Sequence, residues 1–475
     1  MAKRGLMWFR SDLRVADNPA LYHACANSDR GTVAVFLICP EQWVLHDCAD
    51  IRIAFLRRTL QGLRQDLEKL RIPLLIRDVQ SFQMAPRELL EIARDCKCDQ
   101  LCYNREYEAN EVARDEEVEI AFSGSGVKIN SFTDQVILPP GSLRTATGRY
   151  YSVFTPFRKA WLKSISMDGL PEMTPSPKKL PEMVQESESV PVCIRGFDST
   201  ADKPELWPSG EREAQQRLQT FVSHGLMEYK TVRDLPFESG TSTLSPYLAV
   251  GAISTRQCIH AAVNAADGQL ESGEDGPDTW ISELVWREFY RHVLVGFSRV
   301  SCNQAFRRDT ESIRWRNDES GFDAWCNGQT GFPIVDAAMR QLLATGWMHN
   351  RLRMITAMFL AKDLLIDWRR GERFFMRHLI DGDLASNNGG WQWAASTGTD
   401  AAPYFRIFNP TTQSRRFDPA GNFIRKWVPE LRGLSSKEIH APFERVDAEL
   451  DQGYPRPIVD HAMARNRTID LFKSR

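Results

Sequence analysis

The stretch WISELVWREFYRH places Trp280, Glu283 and Arg287 on one helical face, at i, i+3 and i+7, with Trp286 three residues after Glu283. Two large amphipathic aromatics beside an acid and an arginine suit a pocket for flat, hydrogen-bonding rings; they equally suit an amphipathic helix with an ion pair. Farther along, Asn350 and Met354 lie four apart and face the same way, beside Arg351. Core packing accounts for the methionine, but a buried amide needs partners. The segment LIDGDLASNNGGWQW, Leu379 to Trp393, sets Asp381 and Asp383 around Gly382, then Asn387 before a double glycine. Calcium is disfavoured there, because an EF-hand needs more oxygen ligands and a terminal glutamate. Small residues let a backbone approach a ligand, so hydrogen bonding to a polar heterocycle or ribose is expected. Trp391 and Trp393 then stand at i and i+2, about 200° apart on a helix, which requires two different surroundings. Finally, GTSTLSPYL is a hydroxyl-rich turn in which Ser245 and Pro246 predict an N-cap and a first helical residue. That turn reads either as a well-capped helix or as a phosphate cradle built from Thr241, Ser242, Thr243, Ser245 and their backbone amides.

These residues need elements to hold them. GLMWF (Gly5 to Phe9), TVAVFLIC (Thr32 to Cys39), PLLIRD (Pro73 to Asp78), QLCYN (Gln100 to Asn104) and VKINSF (Val127 to Phe132) read as strands. Helical patterns at Ile51 to Leu70, Pro86 to Cys96 and Ala109 to Phe122 alternate with them, which predicts βαβ units and a buried parallel sheet. The first strand-to-helix turn, RSDLRVADNPAL, lacks the glycine fingerprint of dinucleotide binding, although ligands still favour the carboxyl ends of such strands. Between Pro171 and Pro208, seven of 38 residues are proline, a linker composition expected to drape over a surface. From Glu211 onward the periodicity is helical. The expected organisation is a Rossmann-like α/β domain over residues 1–134, a linker over 135–208 and an all-α domain over 209–475.

A chain of 475 residues suggests two or three domains, and 42% hydrophobic with 26% charged residues is the composition of a soluble globular protein. No apolar run approaches the ~20 residues that span a bilayer, and the start MAKRGLMWFRSDLR has no apolar segment for secretion, so a cytoplasmic protein is expected. Ten cysteines then read as reduced thiols, and Cys96, Cys98 and Cys102 have no partner cluster at zinc spacing, so no metal site is expected. The net charge of −2 hides local excess: seven arginines against three acids from Arg287 to Arg316, and eight Lys/Arg against three acids from Arg340 to Arg377. Such windows are either solvated faces or a phosphate-binding surface.

Four stretches then identify a resemblance: RSDLRVADNPAL, WREFYRH, TGFPIVDAAMRQLLATGWMHNRLRM (Thr330 to Met354) and DGDLASNNGGWQWAASTGTDAAPYFRIFNP (Asp381 to Pro410). The chain resembles, from end to end, the DNA photolyase and cryptochrome family, and looks most like the bacterial class I cyclobutane pyrimidine dimer photolyases. The resemblance implies an N-terminal α/β domain and a helical domain that binds FAD. Tyr229, Thr241, Ser242, Thr243, Leu244, Ser245, Trp280, Glu283, Arg287, Asp381, Gly382, Asp383 and Asn387 match flavin-site positions, which favours the phosphate-cradle reading of the turn. Asn387 matches the residue facing flavin N5.

The implied reaction is light-driven electron transfer from reduced FAD to a pyrimidine dimer flipped out of DNA, a step eased by the poor stacking of damaged bases. By the same resemblance Glu283 and Asn350 hydrogen-bond the dimer, Trp286 and Trp393 line its apolar side, and Met354 lies nearby. Arg233, Arg351 and Gln413 match DNA-contact positions, and Arg287 falls with them. Trp315, Trp368 and Trp391 match the chain that photoreduces the flavin. Asn110 and Glu111, in YEANEVARD, match the positions that bind 5,10-methenyltetrahydrofolate as antenna, but the region around Ser301, Cys302 and Asn303 lacks the expected lysine, leaving a deazaflavin or no antenna open. The expected partner is UV-damaged DNA, and the expected state a monomer. Rival readings are a cryptochrome photoreceptor, a six-four photoproduct photolyase and a flavoprotein that binds damage without repairing it. Asn387 and the short segment after the last helical pattern speak against the first. Asn350 after His349, where six-four enzymes usually carry a second histidine, speaks against the second.

Overall fold

The computed structural model describes residues 3–444 and 453–473. By packing, the chain forms two compact units, each assembled from separated stretches: Met1–Met227, Ser242–Ser301 and Ile380–Asp383 in the first, Glu228–Thr241, Cys302–Leu379 and Leu384–Arg475 in the second.

The first unit is built on five parallel strands: β1 (Gly5–Phe9), β2 (Thr32–Ile38), β3 (Leu74–Asp78), β4 (Gln100–Asn104) and β5 (Lys128–Phe132). All five expected strands are present, with bounds shifted by a residue at most. The order is β3-β2-β1-β4-β5, so the winding reverses between β1 and β4. Crossover helices are α1 (Pro19–Ala26), α2 (Asp50–Lys69), α3 (Ala85–Asp95) and α4 (Ala109–Phe122). Strands β1, β2 and β4 are buried throughout, as expected of a parallel sheet with helices on both faces. The edge strand β3 is not left open. The Pro-rich segment runs past it, with Glu188 N donating to Leu74 O and Ile76 N donating to the Glu188 carboxylate at 2.7 Å.

At the switch point the turn after β1 is filled by the protein's own charges, which is why it carries no glycine fingerprint. Asn18 caps α1, its Oδ1 accepting from Leu21 N, and Asn104 at the end of β4 donates to both Asp12 and Asn18. Arg14 bonds Asp134, and Arg256 bonds both Asp17 (3.0 Å) and Asp134 (2.8 Å), all of them buried. Gly251, at φ +70°, packs so closely that a Cβ would lie 2.1 Å from Ser11 O. Burial pushes the Asp12 carboxyl up to about 6.

The described residues of the second unit contain helices and no strand, as the periodicity predicted. Its core gathers Trp325, Trp368, Trp391, Phe375 and Met358. Helix α5 (Asn350–Met358) continues into a π-helical turn, Phe359–Asp363, followed by α6 (Trp368–Met376), α7 (Leu384–Ala395), α8 (Pro410–Phe417) and α9 (His461–Lys473). Gly371 lets α6 approach α7: a Cβ there would meet Trp391 Cη2 at 2.1 Å.

The π-helical turn buries Lys362, whose ammonium donates to Ser396 Oγ at 2.8 Å and lies 4.2 Å from the Phe472 ring centroid. Burial, helped by the nearby Arg307, pushes its pKa down to about 7. Above about pH 7 the folded state therefore holds a neutral amine, while the unfolded chain keeps its proton until about pH 10. The unfolded state binds more protons in that window, so this group's contribution to stability rises with pH. We expect the unfolding free energy of the protein to gain on that of Lys362→Met between about pH 7 and pH 10 in denaturant titrations; a constant difference would refute the assignment.

Candidate functional site

In the first unit, the helix Asp275–Gly296 carries most of the residues singled out by spacing. Trp280 is buried against Phe221, ring centroids 5.0 Å apart. Trp286 is half-buried and stacks on Phe154 at 3.7 Å and 11°. Glu283 is half-buried one turn before Arg287. The Arg287 guanidinium donates to three neutral acceptors, Gln135 O (2.7 Å), Thr255 Oγ1 (3.1 Å) and Leu248 O (3.2 Å). Among the described residues it makes no carboxylate ion pair. Burial and the adjacent Arg291 push its pKa down to about 10. Asp383 is already engaged, by Arg291 Nη2 at 2.5 Å. An arginine with neutral partners beside a second arginine is a site prepared for an anion.

The hydroxyl-rich turn adds donors of the right kind. Thr243 adopts φ +49°, and its hydroxyl accepts from Arg217 Nη1 at 3.1 Å. The backbone amides of Ser242, Thr243 and Leu244 donate to no group among the described residues. Ser245 is not the N-cap expected from the sequence: Leu244, already helical at φ −85° and ψ −7°, holds that position, and Ser245 opens the helix Ser245–Val250. Leu244 is 1% exposed, so burying its side chain starts the helix one residue early and leaves Ser245 on the surface. Free amides with an unpaired guanidinium match the chemistry of a diphosphate such as that of FAD.

Asn110 and Glu111 open α4 at the carboxyl end of β4. Asn110 Nδ2 and Gln42 Nε2 both lie 2.8 Å from His46 Nε2, and Glu111 Oε1 lies 3.5 Å from His46 Nδ1. Burial, with Glu108 and Glu106 adding to it, pushes the Glu111 carboxyl up to about 8, and burial lowers His46. The two therefore favour neutral forms, a set of donors and acceptors suited to an uncharged heterocycle. Ser301 Oγ accepts from Ala109 N at 2.9 Å, so the segment without the expected lysine does reach this spot.

In the second unit, Asn387 Nδ2 donates to Glu372 O at 3.0 Å, leaving its carbonyl oxygen available. Its neighbour Asn388 bonds Glu372 Oε1 and accepts from Gln392, a buried polar ladder along α7. Trp391 is 2% exposed in the core, edge-on to Trp325 (5.9 Å) and Phe375 (5.0 Å). Trp393, on the same helix, is half-buried and meets Phe408 at 6.4 Å. The pair does occupy two surroundings. Trp368 is fully buried with Arg369 over its ring, and Trp315 packs on the same core from a half-buried position.

Core packing does not account for Asn350, which is exposed at the first position of α5. His349, buried, caps the helix through Nδ1, which turns residue 350 outward. Arg351 pairs with Asp234, and Arg233 lies over the Tyr229 ring at 5.3 Å. Met354 touches Arg351 and Gln413 lies half-buried on α8.

Of the residues singled out, Asn110, Glu111, Ser242 to Ser245, Trp280, Glu283, Trp286, Arg287 and Asp381 to Asp383 belong to the first unit. Tyr229, Arg233, Thr241, Trp315, Asn350, Arg351, Met354, Trp368, Asn387, Trp391, Trp393 and Gln413 belong to the second. Sequence reasoning missed Gln135, Arg291, His46 and Asp234. Arg291 alone had a signal, its i+4 spacing from Arg287.

Residues 5–182 match the family model described as DNA photolyase, and residues 280–474 that described as the FAD binding domain of DNA photolyase. The deoxyribodipyrimidine photo-lyase of Escherichia coli is 45% identical over 475 residues, covering 99% of this chain and 98% of that protein. Among solved structures, a bacterial class III photolyase from Agrobacterium tumefaciens superposes with a TM-score of 0.87 at 35% identity, over 100% of this chain and 98% of its own. A cryptochrome from Synechocystis gives 0.85 at 28% identity, over 98% and 99%. Family models, relatives and fold agree over nearly the whole chain, and the protein belongs to the DNA photolyase family.

Proposed function

We propose that this protein is a deoxyribodipyrimidine photo-lyase, which uses light and FAD to split cyclobutane pyrimidine dimers in UV-damaged DNA. The observation that carries the reading is likeness to enzymes of that name from end to end, at 45% identity. When bound, reduced FAD supplies the photoexcited electron that opens the cyclobutane ring.

The chain's own residues bind and orient. Arg287 and the amides of Ser242 to Leu244 hold the diphosphate, and Thr241, Ser245, Tyr229, Trp280, Asp381, Gly382 and Asp383 complete the cofactor's surroundings. Asn387, its Nδ2 committed to Glu372, offers its carbonyl oxygen to flavin N5. Glu283 and Asn350 hydrogen-bond the flipped dimer, while Trp286, Trp393 and Met354 give it an apolar seat. Arg233, Arg351 and Gln413 meet DNA phosphates, which makes binding salt-dependent. Trp391, Trp368 and Trp315 pass electrons inward to restore reduced cofactor. Asn110 and Glu111, with His46, hold 5,10-methenyltetrahydrofolate as antenna. Among the described residues no helix is long and apolar enough to cross a membrane, and we read the protein as a monomer acting in the cytoplasm.

The deciding experiment is a repair assay on dimer-bearing DNA with fully reduced flavin, comparing illuminated and dark samples. Dimers should disappear only in the light; equal dimer content in both would return the photoreceptor and damage-binding readings. Trp391→Phe should slow photoreduction of oxidised flavin at least tenfold and leave repair by chemically reduced enzyme at the unsubstituted rate, and unchanged photoreduction would remove Trp391 from the path. Arg287→Gln should weaken FAD binding by ~1–3 kcal/mol, since a charge-assisted bond to an anion is lost. Retention of FAD measured by equilibrium dialysis at the unsubstituted level would show that Arg287 serves packing alone.

A further inference from the structure

Arg351 already has an anion. Its Nε donates to Asp234 Oδ1 at 3.2 Å and its Nη2 to Asp234 Oδ2 at 2.7 Å, the two parallel bonds with which a guanidinium also grips a phosphate. The third nitrogen, Nη1, lies 3.7 Å from Met354 Sδ, and the guanidinium carbon sits 4.6 Å from the centroid of the Phe417 ring. Its backbone is fixed as well, since Arg351 N donates to the His349 cap. The fork facing Asp234 is thus the edge left for recognising an oxyanion, and it is taken. Both side chains remain open to water, at 18% and 35% exposure, so the pair can be parted.

We propose that Asp234 is a specificity-determining residue: it competes with DNA phosphate for Arg351 and so penalises DNA that carries no lesion. The inference rests on the reading of Arg351 as a phosphate contact. Undamaged duplex binds through phosphate contacts alone, and one contact that must first displace a carboxylate removes a large part of its affinity. A dimer seated against Met354 helps draw Arg351 off Asp234, so lesion-bearing DNA recovers part of a displacement cost that undamaged duplex bears in full, and discrimination rises although absolute affinity falls. The Met354 contact places the guanidinium against a residue of the proposed lesion seat, which ties release of Arg351 to the arrival of a dimer.

The test is equilibrium binding in the dark, at several salt concentrations, of undamaged duplex and of the same duplex with one thymine dimer. The proteins are the FAD-bound enzyme, Asp234→Asn, Arg351→Ala and the double variant. Asparagine keeps the shape and removes the charge. Asp234→Asn should bind undamaged duplex about three- to tenfold more tightly, with a salt slope steeper by about one, and should discriminate correspondingly less. In the Arg351→Ala background the same substitution should give no gain. The proposal is overturned if Asp234→Asn gains nothing, or if the gain persists without Arg351, which would mark a general charge effect. Should Arg351→Ala bind lesion DNA with unchanged affinity and slope, the phosphate role of Arg351 fails and the proposal with it; light-dependent repair by the same samples would show that the proposed activity stands regardless.

Discussion

A buried guanidinium must be given acceptors, and much of the first unit is arranged to supply them. Arg14 and Arg256 share Asp134 and the backbone carbonyl of Asp17, so the turn after β1, the segment just after β5 and the start of the helix at Thr255 are locked to one another. Each lock has a neighbour with a task. Gln135 follows Asp134 and Thr255 precedes Arg256, and those two present the oxygens that hold Arg287. Breaking one member would strand charges with no water to receive them, which costs far more than the pair contributes over an apolar replacement. The network is better understood as a jig than as a source of stability.

Glu288 tightens the same jig from the helix side. Its carboxylate accepts from Ile137 N (2.7 Å), Leu138 N (3.0 Å) and Trp161 Nε1 (2.8 Å), so the strap 135–138 is clamped by the residue next to Arg287. Positions 287, 288, 291 and 292 all grip this strap, because His292 reaches Leu138 O and Arg291 reaches Gln135 Oε1. A helix that appears amphipathic in sequence is therefore polar on a buried face, and four of its polar side chains hold this strap.

Legibility followed the range of the interaction. Strands β1 to β5 could be read because each is a short run with apolar residues bounded by turn signals, and α4 was placed from Ala109 to Phe122 because periodicity is a local property. The divergence of Trp391 and Trp393 followed from helical geometry alone. The partners did not. Arg351 and Asp234 are 117 residues apart, His46 and Asn110 are 64 apart, and nothing local announces either pair. Ser245 misled because capping preference is weak against the burial of Leu244. The exposure of Asn350 was not legible because it is set by the His349 cap, which turns the first helical residue to solvent.

The indole N–H groups of Trp368 and Trp391 are buried and have no hydrogen-bond partner among the described residues, whereas Trp325 donates to Thr356 O at 3.1 Å. An indole that gives up an electron becomes a strong acid at that nitrogen. With no base waiting, the proton stays on the ring, and the positive charge stays free to hop onward instead of being trapped as a neutral radical. Burial of these two nitrogens away from any protein acceptor among the described residues thus favours movement of charge over movement of protons along the proposed path.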